Sequence, residues 1–231
     1  YNTVTLKSAA TTSLLLAIDV EFGSTAAGNT VNVNNNTVQN CTYTTATTGT
    51  FQGILLNSSA TNVNVNNNTV TGNSIPGTGQ FDGIVMQSTP VNAYMSGNTV
   101  SNNTKTSTGT MNCLYFSSTP TNFTSNTNTV SGNSMTGASG TLYGMRLGTS
   151  IINANGNTVS NLSIPSASGA TASSIYGIYS LSSPTVENFT NSQISGLSIG
   201  GTGTSTSNNI HAIRTNSVSG SSKNLSGNTI T

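Results

Sequence analysis

The chain has 231 residues, of which 4% are charged and 33% hydrophobic, and its formal net charge is +1. Nucleic-acid binding is excluded on that balance, because phosphate recognition needs clustered Lys and Arg, whereas Lys7, Lys105, Arg146, Arg214 and Lys223 are scattered. Charge-driven disorder is excluded too, since it goes with a high net charge.

The chain opens on Tyr1-Asn2-Thr3-Val4, and this ending returns at Asn35-Asn36-Thr37-Val38, Asn67-Asn68-Thr69-Val70, Gly97-Asn98-Thr99-Val100, Thr127-Asn128-Thr129-Val130, Gly156-Asn157-Thr158-Val159 and Gly227-Asn228-Thr229-Ile230. A degenerate copy, Asn191-Ser192-Gln193-Ile194, fills the gap. The steps between the aliphatic residues are 34, 32, 30, 30, 29, 35 and 36, so one supersecondary unit recurs along the chain.

After each of these endings comes a polar segment of variable length, such as Thr42 to Thr50, Ile75 to Gln80 or Pro165 to Ser174. The variation is expected at this corner of the repeat, which makes the corner a natural binding or packing edge.

A second apolar series follows: Leu15 to Val20, Phe51 to Leu56, Phe81 to Met86, Met111 to Phe116, Leu142 to Leu147, Ile175 to Tyr179 and Ile210 to Arg214. Its template is apolar, variable, tiny, aliphatic, variable, apolar. Pairs such as Ile54 with Leu56 and Ile84 with Met86 have the period of two expected of a strand with one buried face. Asp19, Leu55, Val85, Tyr115, Arg146, Tyr179 and Arg214 then look outward. Met86, Met111 and Met145 read as core filler.

The third element reads Val31-Asn32-Val33, Val63-Asn64-Val65, Ala93-Tyr94-Met95, Phe123-Thr124-Ser125, Ile152-Asn153-Ala154 and, less regularly, Glu187-Asn188-Phe189 and Lys223-Asn224-Leu225. Three such strands bury nothing as a single layer but bury their apolar faces when coiled around one axis.

The Asn column specifies the coil. Asn2, Asn36, Asn68, Asn98, Asn128, Asn157 and Asn228 each stand two residues before the aliphatic position, mostly after Asn or Gly, which tolerate a left-handed bend. Stacked amides at such a bend bond the same amide one rung away. With these residues in place the chain resembles the right-handed β-helices of the pectate-lyase-like superfamily, which carry such a ladder.

The resemblance implies an all-β, right-handed, single-stranded parallel β-helix of about seven rungs, with roughly 30 residues and three strands per rung. Residues 1–231 would form one domain, uncapped at both ends. A scaffold transfers no chemistry.

Candidate chemistry is sparse. Asp19 and Glu21 lie two apart, about 6 to 7 Å between side chains, near the range of a glycosidase pair, but without a general-acid partner or basic neighbour. Asp82 and Glu187 lie elsewhere, and His211 occupies an outward slot. No metal or cofactor is expected. Cys41 and Cys113 fall two turns apart, roughly 10 Å, too far for a disulfide. The longest apolar run, Leu14 to Ile18, is well short of the roughly 20 residues that span a bilayer.

Outward aromatics are the main surface feature. Tyr143 and Tyr176 share one column and Tyr115 and Tyr179 another, with Arg146 and Arg214 interleaved, a stripe suited to stacking on sugar rings or anchoring a neighbour. Both termini fall at the same point of the repeat, so the chain is expected either as an excised piece of a longer array or as a unit stacking head to tail.

The expected role is an extracellular or cell-surface structural protein, a fibre subunit or adhesin module, whose partners are its own copies or adjacent repeats. The alternatives are a polysaccharide-active enzyme or tailspike-like depolymerase, and a passive glycan-binding module.

Overall fold

The computed structural model describes all residues except 25, 169–170, 182, 203–206 and 217–219. Every strand pair is parallel, and each strand pairs with its counterpart one repeat away. The chain is thus a parallel β-solenoid of about seven turns, and the described residues contain no helix.

Each rung contributes to four sheets, which is roughly the expected three-strand coil with one short strand added. Sheet 1 holds the Thr-Val strands, from Thr3–Val4 to Thr229–Ile230, eight in all. Sheet 2 is made of two-residue strands such as Ser74–Ile75 and Ser134–Met135, at the start of the segments expected to vary. Sheet 3 carries the apolar template, for example Phe51–Leu56 and Phe81–Met86, and sheet 4 the third element, for example Asn62–Asn66. Sheets 2, 3 and 4 have seven strands each.

Two left-handed bends per rung turn the chain between sheets. The first, before the ladder Asn, falls at Asn35, Asn67, Gly97, Thr127, Gly156, Asn191 and Gly227, with φ between 51° and 66°. The second, between sheets 1 and 2, falls at Asn40, Gly72, Asn102, Gly132, Asn161 and Gly196, with φ between 53° and 66°. Asn and Gly alternate along this second column for a steric reason. A Cβ at Gly72 or Gly132 would lie 2.7 or 2.5 Å from the Oδ1 of Asn40 or Asn102, one rung earlier, so each folded-over amide needs a bare neighbour.

The expected ladder forms. Asn36 Nδ2 donates to Asn68 Oδ1 at 3.1 Å, Asn68 Nδ2 to Asn98 Oδ1 at 3.1 Å, and Asn98 Nδ2 to Asn128 Oδ1 at 3.0 Å. Asn2 and Asn157 extend it at one end and in the middle, and Ser192 stands in between Asn157 and Asn228.

A second, unforeseen ladder lies five residues on. Asn73 Nδ2 donates to Asn103 Oδ1 at 2.8 Å and Asn103 Nδ2 to Asn133 Oδ1 at 2.9 Å. Cys41 precedes this ladder, its N–H donating to Asn73 Oδ1 at 2.8 Å, while buried Leu162 occupies the corresponding place after it.

The core is a set of aliphatic and aromatic columns. Val38, Val70, Val100, Val130 and Val159 stack beneath sheet 1, and Phe51 stacks on Phe81 at a centroid distance of 5.0 Å. All five Met residues are buried in it. Cys41 and Cys113 are both free and buried, as their spacing predicts.

Two charged residues enter core columns. Lys105 follows Ile75 and precedes Met135 in register, and it is fully buried. Its ammonium donates to the carbonyls of Gly77 and Gly79, the latter at 2.6 Å. Glu187 pairs in register with Ile152 and is also fully buried.

Loop length varies at both corners of sheet 3, not only at the expected one. Between sheets 3 and 4 the connection runs from 21–29 in the first rung to only 149–150 in the fifth.

Candidate functional site

The tiny position of the sheet 3 template creates the site. A Cβ built at Gly53 would lie 3.1 Å from Val70 of the core, and at Gly83 or Gly144 it would lie 2.8 Å from Val100 or Val159, so this position faces inward. The next residue, Ile54, Ile84 or Met145, is fully buried in the same core. Two successive inward residues fold the strand and leave its outer face re-entrant.

The outward residues on either side of the fold therefore lean together. The Tyr176 and Tyr179 ring centroids are 5.1 Å apart, whereas three residues of straight strand span about 10 Å. The two outward columns thus pack against each other along the axis over several rungs.

Polar groups fill one of these columns in the middle rungs. Gln52, Asp82 and Asn112 are in register and buried. Asp82 accepts from Asn112 Nδ2 at 2.7 Å, Gln80 Nε2 at 2.7 and 2.9 Å and Gln52 Nε2 at 3.2 Å. Burial, the largest influence, raises the Asp82 carboxyl above the usual range, against the opposing pull of these amides and Arg146. Leu55 and Val85, expected to look outward, are buried, because the two outward columns lean together.

Aromatic rings and guanidinium groups fill the later rungs. Tyr143 stacks on Tyr176 at 5.0 Å and 12°, and Tyr176 on His211 at 5.2 Å and 3°. Tyr179 tilts against both tyrosines. The Arg146 guanidinium lies 4.7 Å from the Tyr115 ring and 4.8 Å from Tyr143, and that of Arg214 lies 5.5 Å from both Tyr176 and Tyr179. Arg214 also donates to the Tyr176 hydroxyl at 3.0 Å. Burial raises the Tyr143 phenol, with Arg146 opposing.

All six expected stripe residues, Tyr115, Tyr143, Arg146, Tyr176, Tyr179 and Arg214, thus come together. His211 joins them as a stacking partner, a role its solitary position in the sequence conceals. Tyr176 is 8% exposed, stacked between Tyr143 and His211, whereas Arg214 is exposed. Such a surface can stack on a flat ring and pair with an acceptor.

The other acidic residues do not converge on it. Asp19 and Glu21 are exposed in the first rung, and Asp82 stands two rungs further on, about 10 Å along the axis. Glu187 faces the core. Among the described residues no group of three or more His, Cys, Asp or Glu could hold a metal ion, and no helix is long and apolar enough to cross a membrane.

No protein-family model, curated protein or solved structure matches the chain, so the parallel β-solenoid architecture is the level at which it can be placed.

Proposed function

We propose that the chain is an extracellular or cell-surface structural protein, a subunit or repeat module of a fibre or giant adhesin built on a pectate-lyase-like right-handed β-helix. The observation that carries this reading is the polarity of the first ladder. From Asn2 to Asn128 the backbone N–H and Nδ2 of each ladder Asn both donate to Oδ1 of the next rung, always in the same direction.

A stack with that polarity accepts a further rung in one orientation only, whether the rung comes from a longer chain or from a second copy. Head-to-tail addition yields a filament rather than a closed ring, provided the rotation per unit does not close. Sedimentation of the purified chain over a hundredfold concentration range tests this. Species that grow with concentration support it, whereas a constant monomer that releases reducing sugar from polysaccharides supports the enzyme instead.

The Tyr and Arg stripe favours a second reading, a passive glycan-binding module. Its rings and guanidinium groups suit sugar stacking, while its one carboxylate, Asp82, is held by three amide side chains. Glycan-array binding that disappears in Tyr143→Ala and Arg214→Ala supports this reading, and an array that stays blank opposes it.

A further inference from the structure

On the outer face of sheet 4, a different sheet from that of the aromatic stripe, one column is filled by Asn32, Asn64, Tyr94, Thr124, Asn153 and Asn188. Its amides bond each other where they are adjacent, Asn64 to Asn32 at 2.8 Å and Asn188 to Asn153 at 2.7 Å. Tyr94 breaks the row. It is 38% exposed, and neither its hydroxyl nor its ring has a partner among the described residues.

Beside Tyr94 lies a depression of about 410 Å³, lined by Asn64, Asn66, Asn67, Ser96, Gly97 and Thr127 together with the tyrosine. Its shape follows from the bend column. Gly97 has no side chain, and the Asn67 carboxamide folds over it to make one rim. Thr127 makes the other, at φ 53°, although it is the only β-branched residue in a column otherwise made of Asn and Gly. A β-branched residue in the left-handed region is strained, and strain of this kind gathers at binding sites.

The lining is uncharged, and much of its hydrogen-bonding capacity is uncommitted. Among the described residues the Asn67 carboxamide has no hydrogen-bond partner, and the Asn66 carboxamide uses only its oxygen, which accepts from the Ser96 N–H at 3.0 Å. Asn64 spends its NH₂ on Asn32, and its oxygen has no partner among the described residues. An exposed ring face set among neutral donors and acceptors matches a pyranose, with an apolar face of C–H bonds and a rim of hydroxyls. Without a cation, nothing here favours an acidic sugar.

We propose that this depression is a binding site for a neutral hexopyranose unit of an oligosaccharide, with Tyr94 as the stacking platform. Asn64, Asn66 and Asn67 supply the polar contacts. The site does not depend on the aromatic stripe of sheet 3 or on the fibre reading.

Nitrogen-15 chemical shifts of the intact chain, titrated separately with cellotetraose, laminaritetraose, mannotetraose and chitotetraose up to about 10 mM, test the proposal. At least one sugar should shift the amides of residues 64–67 and 94–97, and a trigalacturonate control should not. Tyr94→Ala should weaken that binding at least tenfold while Tyr94→Phe retains most of it. Because Tyr94 is exposed and unpartnered, both variants should melt like the parent. The proposal is overturned if none of the four sugars shifts those amides, if trigalacturonate shifts them equally, or if Tyr94→Ala binds as well as the parent.

Discussion

Asn98 Oδ1 accepts two hydrogen bonds from Asn68, one from its backbone N–H at 3.0 Å and one from its Nδ2 at 3.1 Å. Asn98 Nδ2 in turn reaches the Val65 carbonyl at 2.7 Å and Asn128 Oδ1 at 3.0 Å. Both ladder residues are fully buried. Truncation to Ala therefore strands a buried N–H and part of a buried amide on Asn68, each costing about 1–3 kcal/mol. Asn98→Ala should lower unfolding stability by about 3 kcal/mol in urea, and Asn103→Ala, in the second ladder, by a similar amount. An exposed substitution such as Thr106→Ala should change it by less than about 0.5 kcal/mol.

The bend column makes a separate demand. Gly132 holds φ at 64°, and a Cβ there would lie 2.5 Å from Asn102 Oδ1. Gly132→Ala should cost about 1–2 kcal/mol for the left-handed backbone and more for the collision. In an Asn102→Gly background the collision disappears and the backbone cost remains. A double-mutant cycle should accordingly show a coupling of about 1 kcal/mol.

Lys105 gives a pH signature. Burial lowers its ammonium from the ordinary value to about 8 in the folded chain. Between about pH 8 and the unfolded value of 10.5 the unfolded chain holds more protons at this group, so its contribution to stability rises with pH across that window. Cys113 acts in the opposite direction, since burial raises its thiol and the folded chain holds that proton longer. Subtraction isolates the lysine. The stability of the parent relative to Lys105→Met should rise as pH increases from 8 to 10.5, as followed by denaturant midpoints.

Glu187 places a carboxylate in a core column, with Oε2 unpaired among the described residues and Oε1 only 3.5 Å from the Asn216 N–H. Ile152 fills the same slot one rung earlier. Restoring an apolar side chain removes the desolvation cost, so Glu187→Leu should raise stability by about 1–3 kcal/mol. Thermal melts at pH 7 check the direction.

Much of the architecture was legible because the repeat makes each rung predict its neighbour. The Asn-Thr-Val endings placed the ladder, and the tiny position in sheet 3 marked a special backbone site. Its meaning was not legible. Period-two alternation sent Leu55 and Val85 to solvent, but alternation assumes a straight strand, and this one folds at Gly53 and Gly83.

The second ladder was present in the spacing of Asn68 to Asn73, Asn98 to Asn103 and Asn128 to Asn133. It was hidden because Cys41 and Leu162 replace Asn at its ends. In the candidate site, residue columns followed directly from the register. Ring stacking between His211 and Tyr176, and the closure of three amide side chains on Asp82, depend on side-chain geometry that no spacing encodes.

The central claim is that rungs of this chain stack on one another through the polar ladder. Electron microscopy of the purified chain tests it most directly. Straight filaments with an axial repeat of seven rungs, roughly 34 Å at the spacing of adjacent strands, are the predicted result. Uniform single particles at every concentration, with no axial repeat, would contradict it.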